Sequence, residues 1–298
     1  MGSEPLYVTW TMDCEPIAAE VETGGPADWG LSERAMCGYV AALAARGHRA
    51  TLFVIPRTGE AQADVLCALA EQGAELGMHM HPQTADYGLG AHLGELPPDT
   101  QRELLRTGRD RLAGALGVTP LAFRPGCFSA SDETFGLLVE QGFTHGSVSL
   151  PGRNMPERGA QWVGAPPFAH WASAGSRLEA GRLPLLELPT AVDLRDVAGP
   201  QEGSDARHLR LERPGVAQWG PELIARHLQR QVSKGWWVKS IVVMTHNTRD
   251  YGDPDEPARQ ALEAVADAID AAAGRLGLTV TPATLGEVRA AAAKRVPA

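Results

Sequence analysis

The chain has 298 residues, enough for one large domain or two ordinary ones. Acidic residues outnumber basic ones 36 to 27, for a formal net charge of −9, which leaves no basic surplus for a nucleic acid or an anionic membrane surface. Hydrophobic residues at 44% and charged residues at 21% exclude a disordered chain, and 33 glycines with 22 prolines forecast many turns and irregular loops.

In chain order, residues 6–12 form a strand-like run that ends in Asp13-Cys14-Glu15. A helix over 31–46, stopped by Gly47, leads to a strand over 50–55. A second helix over 61–72 leads to a short strand over 75–78 that ends in His79-Met80-His81-Pro82. The next helix spans 98–116, and the strand 120–123 runs into Arg124-Pro125-Gly126. A helix over 131–141 and a strand over 143–148 follow. Residues 150–182 show no sustained period and read as a long surface excursion. A strand is expected over 183–189, a second irregular charged segment over 193–216, and a helix over 221–234. The apolar strand 240–245 ends at His246-Asn247, and a helix over 257–276, a strand over 278–280 and a helix from Leu285 close the chain. Alternating strands and helices predict a mainly parallel sheet, open or closed, with its site beyond the carboxyl ends of the strands. Asp13, Glu15, His79, His81, Arg124 and His246 all fall at such ends.

The four cysteines, Cys14, Cys37, Cys67 and Cys127, form no Cys-x-x-Cys pair and read as free thiols, those of Cys37 and Cys67 buried, in a reducing compartment. No basic, apolar leader precedes the first strand, and no stretch approaches the roughly 20 apolar residues of a membrane span, so the expected location is cytoplasmic. Monomer and homo-oligomer are both left open.

His79 and His81 stand two apart, which on a strand puts both imidazoles on one face, where they can chelate a single ion. A carboxylate from Glu15 or Asp13 completes a mixed nitrogen and oxygen donor set suited to zinc, and equally to cobalt, nickel or iron. A guanidinium at Arg124 can hold a carboxylate bidentately, and His246 is placed to exchange a proton at the same site. Trp29, His170 and Trp171 lie in irregular segments that could rim a sugar-binding cleft.

Thr11-Met12-Asp13-Cys14, Gly77 to Pro82, Phe123-Arg124-Pro125-Gly126 and Val243 to His246 occur in the order seen in the NodB-homology polysaccharide deacetylases, which this chain resembles over nearly its whole length. The resemblance implies an irregular (β/α) barrel of about seven strands, one catalytic domain over residues 1–298. It further implies a divalent metal, most simply Zn2+, held by Glu15, His79 and His81. Asp13 would be the base held by Arg124, His246 the acid, and Cys127 would lie beside the substrate. The implied reaction removes an N-acyl group, most simply acetyl, from an amino sugar or oligosaccharide. Two departures stand out. Cys14 occupies the place of a second aspartate, which leaves Glu15 or a Cys14 thiolate as the ligand, and one residue rather than three separates the histidines. The segment 142–147 lacks the aspartate relatives often carry, so Asp193 and Asp250 become candidates to orient His246. An allantoinase-like hydrolase of amides or cyclic imides and a non-catalytic carbohydrate-binding protein are the rival readings.

Overall fold

A computed structural model describes residues 4–17, 28–84, 87–197 and 203–295. In chain order the elements are β1 (Glu4–Cys14), α1 (Gly30–Ala44), β2 (Ala50–Val54), α2 (Pro56–Ala61), α3 (Ala63–Glu71), β3 (Glu75–Met80), α4 (Pro98–Leu116), β4 (Ala122–Pro125), α5 (Thr134–Glu140) and β5 (His145–Gly146). They continue with β6 (Asn154–Met155), β7 (Ala160–Gln161), β8 (His170–Trp171), β9 (Leu186–Glu187), α6 (Val216–Ser233), β10 (Lys239–His246), α7 (Pro257–Arg275), β11 (Leu278–Pro282) and α8 (Leu285–Ala293).

The strands pair in the order β10-β1-β2-β3-β4-β5-β9, all parallel, with β8 added antiparallel at the far end. This is the irregular (β/α) barrel expected from the sequence. Its wall is long only around β1, which pairs along one edge with β10 and along the other with β11 and then β2. Beyond β9 the curl is closed by single bridges. Ala191 N–H donates to the Val242 carbonyl, Leu211 N–H to the Met244 carbonyl and Met244 N–H to the Leu209 carbonyl, all at 2.9 to 3.0 Å. This ties the residues around Glu212 to the top of β10.

Strand alternation sorts two cores. Met12, Cys14, Leu52, Val54, Met78 and Met80 face the helices, with Met36, Tyr39 and Leu105 against them. The concave face is filled by Phe53, Ala122, Leu186, Leu188 and Val242, and α8 closes its lower end through Leu285 and Val288. The polar residues of that face, Thr11, Asp13, His79 and Arg124, lie above this plug.

Several expected boundaries move. The helix expected over 61–72 is α3, and a further short helix, α2, precedes it, the two separated at Gln62, which has φ −126°. The one expected from 221 begins at Val216, behind Gly215 in the left-handed region, with Pro221 inside it rather than at its start. Residues 150–182 are no surface excursion, because Leu150, Ala160, Trp162, Phe168, Ala169 and Ala172 are all buried, and hydrogen bonds rather than a periodic helix organise them. Cys37 is exposed rather than buried, since it lies on the outer face of α1.

Candidate active site

Parallel register sets the site before any side chain is considered. Asp13 is the register partner of His246 on one side and Phe53 on the other, and His79 is the partner of Arg124. Aligned residues of neighbouring parallel strands share a face, so these groups project together into the barrel mouth.

Arg124 is fully buried and reaches across the barrel from β4 to β1. Its Nη1 donates to Asp13 Oδ1 at 2.7 Å, its Nη2 to Thr11 Oγ1 at 3.0 Å and its Nε to the Ser147 carbonyl at 3.3 Å, while Phe53 lies 4.4 Å below the guanidinium. Burial alone would raise the Asp13 carboxyl, but Arg124, His79 and His246 together hold it below the usual carboxylate range.

The other oxygens and nitrogens converge beside it. Glu15 Oε1 lies 3.1 Å from His79 Nε2 and 3.1 Å from His81 Nε2. Burial pushes Glu15 up, yet His81, His79 and His246 pull it well below its ordinary value. Asn247, wholly buried, clamps the Glu15 backbone: its Oδ1 accepts from Glu15 N–H at 3.0 Å and its Nδ2 donates to the Glu15 carbonyl at 2.8 Å. Cys14 points the opposite way, into the layer between sheet and helices. There burial, reinforced by Asp13 and Glu15, raises its thiol well above the usual value and keeps it protonated. The carboxylate of Glu15, not a Cys14 thiolate, therefore faces the histidines.

Those three residues fit a divalent cation. His79 Nδ1 lies 2.8 Å from the Arg124 carbonyl, a pure acceptor, so Nδ1 carries hydrogen and Nε2 is the nitrogen turned toward Glu15. His81 Nε2 aims at the same carboxylate oxygen, so one ion could take a donor atom from all three residues. The donor atoms of Glu15, His79 and His81 lie within 4.8 Å of one another. Gln83 sits 2.6 Å from His81 Nδ1, and its buried Oε1 has no partner. Half a turn of that amide lets Nδ1–H donate to the oxygen and frees Nε2 for a metal. Gly126 is required here, since a Cβ would lie 2.4 Å from His81 Nδ1.

His246 completes the mouth. Its Nε2 stands 3.8 Å from both Asp13 Oδ2 and Glu15 Oε1, and its Nδ1 is 2.9 Å from Glu212 Oε1. Burial opposes charge on the ring, but Glu212 and then Asp13 outweigh it, so the His246 pKa is raised. Glu212 is thus the orienting acid. Asp193 instead binds Arg195 and Arg226, and Asp250 binds Arg34, so neither candidate from the sequence touches His246.

Asp13, Glu15, His79, His81 and His246 line a cleft of about 300 Å³ with Cys127, Phe128, Arg153, Arg158, His208, Arg210 and Asn247. A hollow of about 380 Å³ at the starts of α6 and α7 is larger, but its lining includes no histidine. Cys127 and Phe128 adopt successive left-handed φ values of 55° and 57°. Arg153 holds this strained turn through the Cys127 carbonyl at 2.8 Å and Trp162 through the Phe128 carbonyl at 2.7 Å. His208 is buried, its Nδ1 bonded to the Ala206 carbonyl at 2.8 Å and its Nε2 without a partner; burial brings its pKa down to about 3.

Residues 28–146 match the polysaccharide deacetylase family model. That stretch is similar to the polysaccharide deacetylases; it contains His79, His81 and Arg124, while Asp13 and His246 lie outside it. The fold is shared with a probable polysaccharide deacetylase from Pseudomonas aeruginosa PAO1, at 13% identity, 98% coverage of this chain and 92% of that one, TM-score 0.60. A Mycobacterium smegmatis protein assigned to the polysaccharide deacetylases aligns at 17% identity over 99% of this chain and 93% of its own, TM-score 0.58. The Puue allantoinase aligns at 12% identity over 96% and 89%, TM-score 0.57. No curated protein matches the chain in sequence.

Of the residues expected to touch substrate, Cys127 lines the cleft and three others lie elsewhere. Trp29 precedes α1, where its carbonyl accepts from Glu33 N–H. His170 is buried on β8, and Trp171 stacks on Trp237 at 6.2 Å, below the start of β10. Because β8 runs antiparallel to β9, it carries these rings toward the end opposite the cleft. Sequence reasoning missed Glu212, His208, Arg153, Arg158 and Arg210, which come from irregular segments with no periodic signal, and Asn247, whose place directly after His246 was the available clue.

Proposed function

We propose that this protein is a divalent-metal-dependent hydrolase that removes an N-acyl group, acetyl in the simplest case, from an amino sugar or glycan intermediate. The observation that carries this reading is the convergence of three paired units, Asp13 with Arg124, Glu15 with His79 and His81, and His246 with Glu212, on one cleft. Glu15, His79 and His81 would hold the ion, Zn2+ or a related cation, which when bound supplies Lewis acidity toward the acyl oxygen and acidifies water. Asp13 removes the proton of the attacking water through Oδ2, because Arg124 occupies Oδ1 and fixes the carboxylate. His246, its charge favoured by Glu212, donates from Nε2 to the departing nitrogen. The match to the polysaccharide deacetylase model supports a sugar-borne amide. The unpartnered His208 Nε2 agrees, since a sugar hydroxyl supplies the donor it lacks.

The test is Asp13→Asn assayed on N-acetylated sugars beside ureides and cyclic imides. The expected result is a kcat lower by about 10³-fold with divalent metal still bound at one ion per chain. Full-rate turnover by the variant, or hydrolysis of imides alone by the parent, would sink the reading.

A further inference from the structure

Pairing the charges of the cleft leaves two unspent. Asp13 is matched by Arg124, Glu212 by His246, and Asp205 by Arg153 and Arg213. Arg158 hydrogen-bonds the Cys127 thiol and, among the described residues, its nearest carboxylate is that of its neighbour Glu157, at 3.6 Å, with both side chains about half exposed. Arg210 lies 3.6 Å from a Glu212 oxygen that His246 already engages at 2.9 Å. Neither guanidinium makes a close ion pair among the described residues, and both line the cleft that holds Asp13 and Glu15. They come from opposite walls, Arg158 beside Cys127 and Arg210 beside β10.

A chain with a formal charge of −9 gains nothing from two guanidiniums at the mouth if its ligand is neutral. An anionic oxygen group, by contrast, offers a guanidinium paired hydrogen bonds in a partly desolvated cleft. We propose, resting on the hydrolase reading above, that the substrate is an N-acylated sugar bearing a phosphate or carboxylate, which Arg158 and Arg210 receive. Phosphate and carboxylate share the recognition chemistry, and the ligands of the test separate them. No catalytic step is added: the two arginines hold the ligand, and bond cleavage remains with Asp13 and His246.

Binding of reaction products tests this without turnover. Glucosamine, glucosamine 1-phosphate, glucosamine 6-phosphate and glucosaminuronic acid are titrated calorimetrically into the zinc-loaded full chain and into its Arg158→Gln/Arg210→Gln variant. At least one anion should bind about tenfold or more tighter than glucosamine, added salt should erode that preference, and the double variant should bring the ratio to within about threefold of one. Equal binding of neutral and charged sugars, a preference that survives in the variant, or no measurable binding of any anion overturns the proposal. Turnover of neutral N-acetylglucosamine by the same preparation, with no preference for anions, removes the anion site while leaving the hydrolase standing.

Discussion

His246 at the barrel mouth and His227 on α6 are both largely buried imidazoles, yet they titrate in opposite directions. Burial lowers His227 to about 4, opposed only by a backbone contact at Val192, and Phe168 meets the ring edge-on at 5.0 Å. His170, whose Nδ1 lies 2.8 Å from the Phe168 carbonyl, also falls to about 4. His246 is more open, its side chain 16% exposed at the cleft, and there the Glu212 carboxylate at 2.9 Å and Asp13 beyond it reverse the sign. Burial makes a histidine neutral filler in one region and a poised acid in the other. The deciding variable is whether a carboxylate is buried with it.

The strongest way to break this contrast is to remove the guanidinium under the acids. Arg124→Met strands the buried Asp13 carboxylate, and denaturant unfolding should show a loss of about 3–5 kcal/mol; a loss below about 1 kcal/mol would mean that the pair carries little. Glu212→Gln takes away the group that raises His246. Turnover should fall by about 10–100-fold, and the alkaline limb of the pH–rate profile should move to lower pH, because the ring then surrenders its proton sooner. An unmoved limb would relieve His246 of its role as acid. The smallest effect sharpens the other side. In the unfolded chain His170 and His227 titrate near 6.5, so between pH 6.5 and 4 the unfolded state binds more protons and stability falls on acidification. His227→Gln should flatten that slope by about 1 kcal/mol per pH unit in thermal melts, and an unchanged slope would show that His227 is already charged in the fold.

Much of the site was legible where chemistry and strand phase coincide. Asp13-x-Glu15 and His79-x-His81 announce themselves because alternate residues share a face and each pair closes a strand. Arg124 does so because it sits where a strand meets Pro125-Gly126, though only the structure shows that this glycine must clear His81. The helix over 98–116 was legible to the residue, with Pro98 at its first turn and Gly117 left-handed at its end. Residues 150–182 were not, since their burial rests on scattered hydrogen bonds and aromatic packing rather than on a period. Trp171 looked like a sugar platform for the same reason that it makes a good partner for Trp237: a flat apolar ring suits either task.

The sequence by itself determined which residue types end each strand, and therefore that two acids, two histidines, an arginine and a distal histidine would meet at one end of a parallel sheet. Only the tertiary structure decided that Cys14 turns away from that end while Glu15 turns toward it, because Cys14 takes the helix-facing phase of β1. It also decided that Glu212 is the partner of His246. The two are 34 residues apart in sequence, and the link exists only because Leu209 and Leu211 bond to Met244 and lay an irregular segment along the top of β10. Local pattern encodes the face of a strand, whereas the closing of a barrel across unrelated loops is a long-range event that no local pattern records.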